Sequence, residues 1–398
     1  MTLDKIYHAA FVLKDIIRKT DVIAAPELNP DATIILKTEN LQVTGSFKVR
    51  GAAYKISQLS EEEKARGVIA CSAGNHAQGV ALAATKAGAK SLICLPDNAP
   101  LSKIEATKKY GADVCLVPGV YDDAYNKALE LRDSEGYTFV HPFNDEDVIA
   151  GQGTIGLEIL EQVPDVDAVI VPVGGGGLIS GVAYAIKQLN PNVKVYGVQA
   201  SGAPSMVKSV KEGKIKKLAS VSTIADGIAV KEPGDLTFDL VSQYVDELVT
   251  VTDDEVAAAI LALIEQQKLC AEGAGAVSVA AAMFNKVPVA GKKVVCLVSG
   301  GNIDVTILSR VIDRGLLKSG RTLSIQVNLV DKPGQLQGVA NCIADAGGNV
   351  TYINHEKATE DMSITDAYLR ITMETKNFEH IDEILTALSD AGFTYQQF

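Results

Sequence analysis

No two cysteines in this 398-residue chain form a C-x-x-C pair, and no second histidine or cysteine stands at metal-ligand spacing from His76. A transition-metal site is therefore not expected. The six cysteines (71, 94, 115, 270, 296 and 342) lie mostly in apolar, strand-like runs and read as reduced core residues of a cytoplasmic protein. Basic residues are in short supply, 37 Lys and Arg against 49 Asp and Glu, and a net charge of −12 disfavours nucleic acid or an anionic membrane as partner. The one basic stretch, residues 208–217, has five lysines and a glutamate but no interleaved aromatics. It reads as a solvated helix end or loop. Residues 1–5 lack the charged and apolar regions of a signal peptide. The charge-free run 168–186 is long enough for a membrane span, yet it carries Pro172 and five glycines, four of them consecutive. A buried strand, a tight loop and a buried helix describe it better. No 20–50-residue repeat or low-complexity tract is present.

What is present suits a large α/β protein. Hydrophobic residues make up 47% of the chain, and its length implies two or three domains. Over the first 320 residues, short β-branched runs alternate with alanine-rich helical stretches, the pattern of a mostly parallel sheet. Strands are expected at 33–37, 68–71, 91–95, 113–116, 168–173, 193–198 and 293–298, with helices such as 77–87 and 254–268. A polar linker is expected at 314–321. Beyond it the order is strand 322–330, helix 334–346, strand 349–358, strand 364–374, helix 379–391 and strand 393–398, a ferredoxin-like βαββαβ domain.

Four segments carry chemistry. Thr44-Gly-Ser-Phe-Lys-Val-Arg-Gly51 sets Lys48 between an aromatic ring and small residues. Burial lowers a lysine's pKa, so its neutral amine can attack a carbonyl and move protons. Gly174-Gly175-Gly176-Gly177-Leu178 follows a strand and precedes a helix, an arrangement that aims several backbone N–H groups at one anion, most naturally a phosphate. In that loop the dinucleotide pattern G-x-G-x-x-G fails, because its last position falls on Ile179 or Ser180. The next strand is followed by Gln199 rather than an acid, so a nicotinamide cofactor is disfavoured. Ser72-Ala73-Gly74-Asn75-His76-Ala77-Gln78-Gly79 ends a third strand; its small residues at a helix start can cradle a carboxylate, and Asn75 can reach a phenolic oxygen. His76 reads as a hydrogen-bonded structural residue in preference to a catalyst. Ser299-Gly-Gly-Asn302 follows a fourth strand and offers a hydroxyl to a ring nitrogen.

The order and spacing of these segments, with Gly151-Gln-Gly-Thr-Ile-Gly-Leu-Glu158, resemble the fold-type II (tryptophan synthase β-like) pyridoxal-phosphate enzymes, and among them the threonine ammonia-lyases (threonine dehydratases). The resemblance covers nearly all of residues 1–315. It implies a catalytic region over 1–320, with a smaller subdomain at about 45–147 and a larger one from 1–44 and 148–315. The segment Asp331-Lys-Pro-Gly-Gln-Leu336 resembles the start of an ACT regulatory domain, here 321–398.

The resemblance implies pyridoxal 5'-phosphate held by Lys48 as an internal Schiff base, with Phe47 near the ring. Gly174, Gly175, Gly176, Gly177 and Leu178 would bind its phosphate, Asn75 its phenolic oxygen and Ser299 its pyridine nitrogen. Ser72, Ala73, Gly74, Asn75 and His76 would hold the substrate carboxylate. A neutral hydroxyl on the ring nitrogen suits loss of a β-substituent over transamination. The implied reaction is that of a carbon–nitrogen lyase, converting L-threonine to 2-oxobutanoate and ammonia and L-serine to pyruvate. Serine racemases have a second serine where this chain has Ala73, which favours elimination. A catalytically idle amino-acid sensor is the alternative from another class. Asp331, Gly334, Leu336 and Asn349 are the candidate effector residues. Isoleucine or valine would suit a biosynthetic enzyme and a nucleotide a catabolic one, and a homodimer or homotetramer is implied. Glu272 and Asp226 lie in loops that relatives use near the cofactor or a cation, with ordinary loop hydrogen bonding equally compatible.

Overall fold

The computed structural model describes residues 1–357 and 366–398. The chain divides into two compact units, Met1–Asp304 and Val305–Phe398. Strands of the first unit are β1 (Val22–Ala24), β2 (Thr33–Lys37), β3 (Val68–Cys71), β4 (Ser91–Pro96), β5 (Asp113–Val117), β6 (Thr138–Phe139), β7 (Ala168–Pro172), β8 (Lys194–Ala200), β9 (Glu247–Val251) and β10 (Lys293–Leu297). They form a six-stranded sheet, β1-β2-β10-β7-β8-β9, and a four-stranded sheet, β5-β4-β3-β6. Every pairing is parallel except the antiparallel edge pair β1–β2. β3 and β7 are buried along their whole length, which is why each reads as an unbroken apolar run rather than an alternation.

All seven strands expected in this unit are present, with ends displaced by at most two residues. β1, β6 and β9 were not anticipated. Two are only two or three residues long, and β9 is a sheet-edge strand with mostly half-buried positions, so none offers a strong apolar run.

The helix that begins at Lys48 (Lys48–Ser57) is clamped from two sides. Its backbone touches that of helix Glu146–Gln162, where a Cβ on Gly151 would lie 2.6 Å from the Arg50 carbonyl oxygen. Gly151, Gly153 and Gly156 do spell G-x-G-x-x-G, a match that the sequence reading passed over. They lie inside a helix rather than at a strand-to-helix turn, so they serve close packing and hold no phosphate.

The second clamp is ionic. The guanidinium of Arg50, fully buried, donates to both oxygens of Glu39 at 2.7 and 2.8 Å and to both oxygens of Glu158 at 2.6 and 3.0 Å. Buried Lys37 donates to Glu158 at 2.6 Å and to the Thr20 carbonyl at 2.6 Å. Burial alone would push the Glu39 carboxyl up, but the guanidinium beside it overrides that and holds it below the usual range. Two cations and two anions thus balance inside the protein.

The second unit holds helix Val305–Lys318, β11 (Thr322–Val330), helix Gln335–Asp345, β12 (Asn349–Lys357), β13 (Asp366–Glu374), helix Phe378–Asp390 and β14 (Thr394–Gln397). Its antiparallel sheet runs β12-β13-β11-β14, which with the βαββαβ order is the ferredoxin-like fold. Alternate residues Leu323, Ile325, Val327 and Leu329 face a core shared with Ile343, Ile384 and Leu388. The expected linker at 314–321 is helical through Lys318, because Ile307, Leu308, Val311, Ile312 and Leu316 continue an apolar helical spacing up to Gly320, which ends it at φ +67°. The expected strand ends at Ala358 and Ile364 lie outside the described residues. No helix among the described residues is long and apolar enough to cross a membrane.

Candidate active site

The four segments singled out in the sequence meet at the carboxyl ends of the strands. Backbone bonds stitch the Lys48 turn to the loop after β10. Phe47 N–H donates to the Ser299 carbonyl at 3.1 Å and Gly301 N–H to the Gly45 carbonyl at 2.9 Å. The Asn302 amide donates to the Thr44 carbonyl and to Asn75 Oδ1, both at 2.8 Å. Helix Asn75–Lys86 approaches just as closely: a Cβ on Gly79 would sit 3.0 Å from Val49 N and 3.1 Å from the Lys48 carbonyl carbon. Lys48 therefore projects from a backbone fixed on three sides. Its amine donates to the Pro142 carbonyl at 2.8 Å and lies 5.3 Å from the Phe47 ring centre. Burial brings its pKa down to about 8, with Glu272 opposing the shift.

Gly174 to Leu178 link β7 to helix Gly177–Leu189. The glycines are required by space. A Cβ on Gly175 would fall 2.5 Å from the Phe143 ring, one on Gly177 2.8 Å from Phe143 Cα, and Gly176 adopts φ +99°. Thr237 donates from its hydroxyl to the Gly175 carbonyl at 2.6 Å, pinning the loop from behind. The helix start leaves amide N–H groups without intrahelical acceptors, the arrangement that suits an anion.

The other predicted residues are placed as follows. Ser72 Oγ accepts from Gly74 N–H at 3.2 Å, and a Cβ on Gly74 would meet nothing within 4 Å, so this loop borders open space. Ala73 packs partly on the hydrophobic core. His76 is buried, with Nε2 bonded to the Val140 carbonyl at 2.8 Å, and burial together with the Lys48 charge pushes its pKa down to about 3. Ser299 Oγ lies 3.3 Å from the Ala274 carbonyl. In the second unit, Asp331 pairs with Lys357 at 2.8 Å, Gly334 caps a helix at φ +91°, and Leu336 is exposed beside them. Asn349 does not join that group. Sheet register puts it beside Glu374 at the opposite end of the strands, about 25 Å away.

One feature escaped the sequence reading. The loop His141-Pro142-Phe143-Asn144 supplies the Lys48 acceptor and the ring against Gly175; its one signal was its place directly after a strand, and β6 is too short to announce itself. Glu272, whose loop the resemblance implied to lie near the cofactor or a cation, is buried and accepts from the Asn75 amide at 2.6 Å. Burial first, then the nearby Asp226 charge, raises its pKa to about 7, against the opposing effects of Asn75, Lys103 and Lys48. Among the described residues, no cluster of three or more His, Cys, Asp or Glu could hold a metal ion.

A two-sheet α/β unit with an amine of lowered pKa, a glycine-built anion cradle and polar groups between them defines a class of cofactor enzyme. Residues 13–300 match the family described as "Pyridoxal-phosphate dependent enzyme", and the chain belongs to that family. Within it, the chain is 51% identical over 395 residues to the L-threonine ammonia-lyase of Thermotoga maritima, covering 99% of this chain and 98% of that protein. Among solved structures it is similar to the processed form of threonine deaminase isoform 2 from Solanum lycopersicum (38% identity, TM-score 0.75, 80% of this chain and 90% of that one). Maize serine racemase is comparable, at 35% identity and TM-score 0.74 over 79% of this chain and 98% of that one. The site fits the family's cofactor on its own chemistry. The cradle admits no Cβ at Gly175 or Gly177, and the buried Ser46 hydroxyl, beside Phe47, has no hydrogen-bond partner.

Proposed function

We propose that the protein is a pyridoxal-phosphate-dependent threonine ammonia-lyase, eliminating water from L-threonine to give 2-oxobutanoate and ammonia, and pyruvate from L-serine. The observation that carries this reading is Lys48: an amine with a pKa near 8, anchored on a three-sided backbone clamp and bonded to Pro142, whose neighbour Phe143 packs on the glycine loop. Gly174 to Leu178 would hold the cofactor phosphate, Phe47 would cover the ring, Asn75 would meet the phenolic oxygen and Ser299 the ring nitrogen. When bound, the cofactor supplies an electron sink that acidifies the substrate's α-hydrogen.

The chain's own groups do the rest. The open Ser72–Gly74 loop, at the start of helix Asn75–Lys86, offers backbone N–H groups to the substrate carboxylate. Neutral at a substantial fraction near pH 8, the Lys48 amine takes the α-proton. The chain Glu272–Asn75–Asn302–Thr44 fixes the Asn75 amide that would meet the cofactor's phenolic oxygen. Loss of the β-hydroxyl yields an enamine, which water converts to the oxo acid and ammonia. Ala73 brings no hydroxyl to the substrate's other side, which supports elimination without racemisation.

The reading extends to a cytoplasmic homodimer or homotetramer with a small-molecule effector on the second unit. Exposed Tyr352 and Ile353 on the edge strand β12 support pairing there. Asp331, Gly334 and Leu336 would contact the effector; Asn349, at the other end of the strands, would not reach the same molecule. Steady-state release of 2-oxo acid from L-threonine and L-serine tests the activity, with Lys48→Ala beside the wild type. Turnover that vanishes in the variant together with the bound-cofactor absorbance is the expected result. A cofactor band with no oxo acid from either substrate would sink the assigned reaction.

A further inference from the structure

The loop that accepts from Lys48 is shaped by a single side chain. Residues 141–144 leave the small sheet after β6 and lead to helix Glu146–Gln162. Within them, the N–H groups of Phe143 and Asn144 both donate to Nδ1 of His141, at 3.2 and 2.8 Å. An imidazole nitrogen that accepts from both amides cannot itself carry a proton, so the ring is neutral with its hydrogen on Nε2. Closing the turn in this way fixes what lies on it. The Pro142 carbonyl, between His141 and Phe143, meets the Lys48 amine at 2.8 Å. Phe143 lies against the glycine loop, where a Cβ on Gly177 would stand 2.8 Å from its Cα. The Asn144 amide reaches Asp235 at 2.8 Å. The His141 ring also meets the Phe143 ring edge-on, with centres 4.6 Å apart. Titratable groups facing Lys48 are Glu272, His76 and His141.

We propose that His141 is a positioning residue for the proton transfer: its Nδ1 closes the 141–144 turn and so aims the Pro142 carbonyl that holds the Lys48 amine whenever that amine is free. The inference rests on the elimination chemistry proposed above and deepens it. A free amine on a long flexible stem has many rotamers, and few of them turn its lone pair toward the α-hydrogen. A carbonyl in hydrogen-bond reach accepts from the amine and selects among those rotamers. The same acceptor favours the charged form, because an ammonium makes the stronger hydrogen bond. What the turn requires is an acceptor atom at the place of Nδ1, which an asparagine Oδ1 also supplies. A ring that only packed against Phe143 would not meet that requirement.

The test compares His141→Phe, which keeps a ring against Phe143 but has no acceptor, with His141→Asn, which keeps an acceptor and loses the ring. In the full-length, cofactor-free protein, the pH dependence of Lys48 acetylation by acetic anhydride, read by mass spectrometry, gives the midpoint of the amine. His141→Phe should lower that midpoint by about half a unit or more, since the burial stays and the carbonyl is lost. His141→Asn should leave it at the wild-type value. In the holoenzyme, kcat for threonine should fall about tenfold or more in His141→Phe, with KM within about twofold, and stay close to wild type in His141→Asn. A midpoint in His141→Phe that stays put overturns the proposal. So does one that rises toward that of an exposed lysine, since the loop is then lost as a whole. An unchanged kcat in His141→Phe, or a His141→Asn enzyme that behaves like it, has the same force. Nitrogen NMR of the wild-type imidazole should show the proton on Nε2, and a proton on Nδ1 would refute the turn without any variant. If the wild type does not turn over threonine, the assigned reaction falls, and the acetylation midpoints and imidazole signals still decide the role of His141.

Discussion

Gly175 shows how little freedom single residues have here. An added methyl would meet the Phe143 ring at 2.5 Å, and Phe143 in turn packs edge-on against His141 at 4.6 Å between ring centres. Overpacking of that kind costs about 1–3 kcal/mol. Gly175→Ala should therefore weaken cofactor binding by about tenfold or more, read by titrating the cofactor absorbance. Glu272 yields a second expectation. Its folded pKa of about 7 lies above the ~4.3 of an unfolded glutamate, so the folded protein holds this proton more tightly. The stability it confers is full below about pH 4 and is lost as pH rises through about 7. In cofactor-free protein, Glu272→Gln should accordingly gain stability over wild type at pH 8 and show little gain at pH 4, measured as urea midpoints. His141, held neutral with a pKa pushed down to about 4 by burial and the Lys48 charge, works in the opposite sense. Its contribution is present above about pH 6.5 and fades as pH falls through 4.

At the scale of elements, the helix starting at Lys48 depends on charges as much as on packing. Deleting one member of a buried ion pair strands the other and typically costs about 3–5 kcal/mol. Arg50→Ala should show a loss of that order in chemical denaturation, since it removes the ion-pair partner of fully buried Glu39 and leaves Glu158 to Lys37 alone. None of this was visible in the chain. Glu39, Arg50 and Glu158 are far apart in sequence, and a buried arginine looks like a surface one until its partners are placed. By contrast, the strands with unbroken apolar runs and the glycine-rich turns were readable, because burial on both faces and close backbone approach each restrict residue choice locally. The short strands β1 and β6 were not, since two or three residues carry no period. Of the candidate site, the segments that carry Lys48, Asn75, Gly174–Leu178 and Ser299 stood out in the sequence by their turns. Phe143 and the acceptor at Pro142 were missed because a Pro-Phe pair after a two-residue strand resembles any loop.

At the scale of the whole molecule, every group assigned to turnover lies in residues 1–304, whereas the effector candidates lie in the second unit, which has its own core. A chain ending at Ser319 should keep threonine turnover and lose any response to small-molecule effectors, checked by initial rates with and without candidate amino acids and nucleotides. The path of the chain through the first unit also carries a consequence for its birth on the ribosome. The small sheet is finished once β6 has emerged at residue 139, and its strands are near neighbours in sequence. β2 must wait far longer, because its parallel partner β10 begins at Lys293. The large sheet stays open at its centre until almost three-quarters of the polypeptide has been made. Ser299 and Asn302 follow β10 directly, so the pocket closes last. A nascent chain can therefore take up its cofactor only after nearly the entire first unit is synthesised, and until then the waiting edges of β2 and β7 need shielding from other chains.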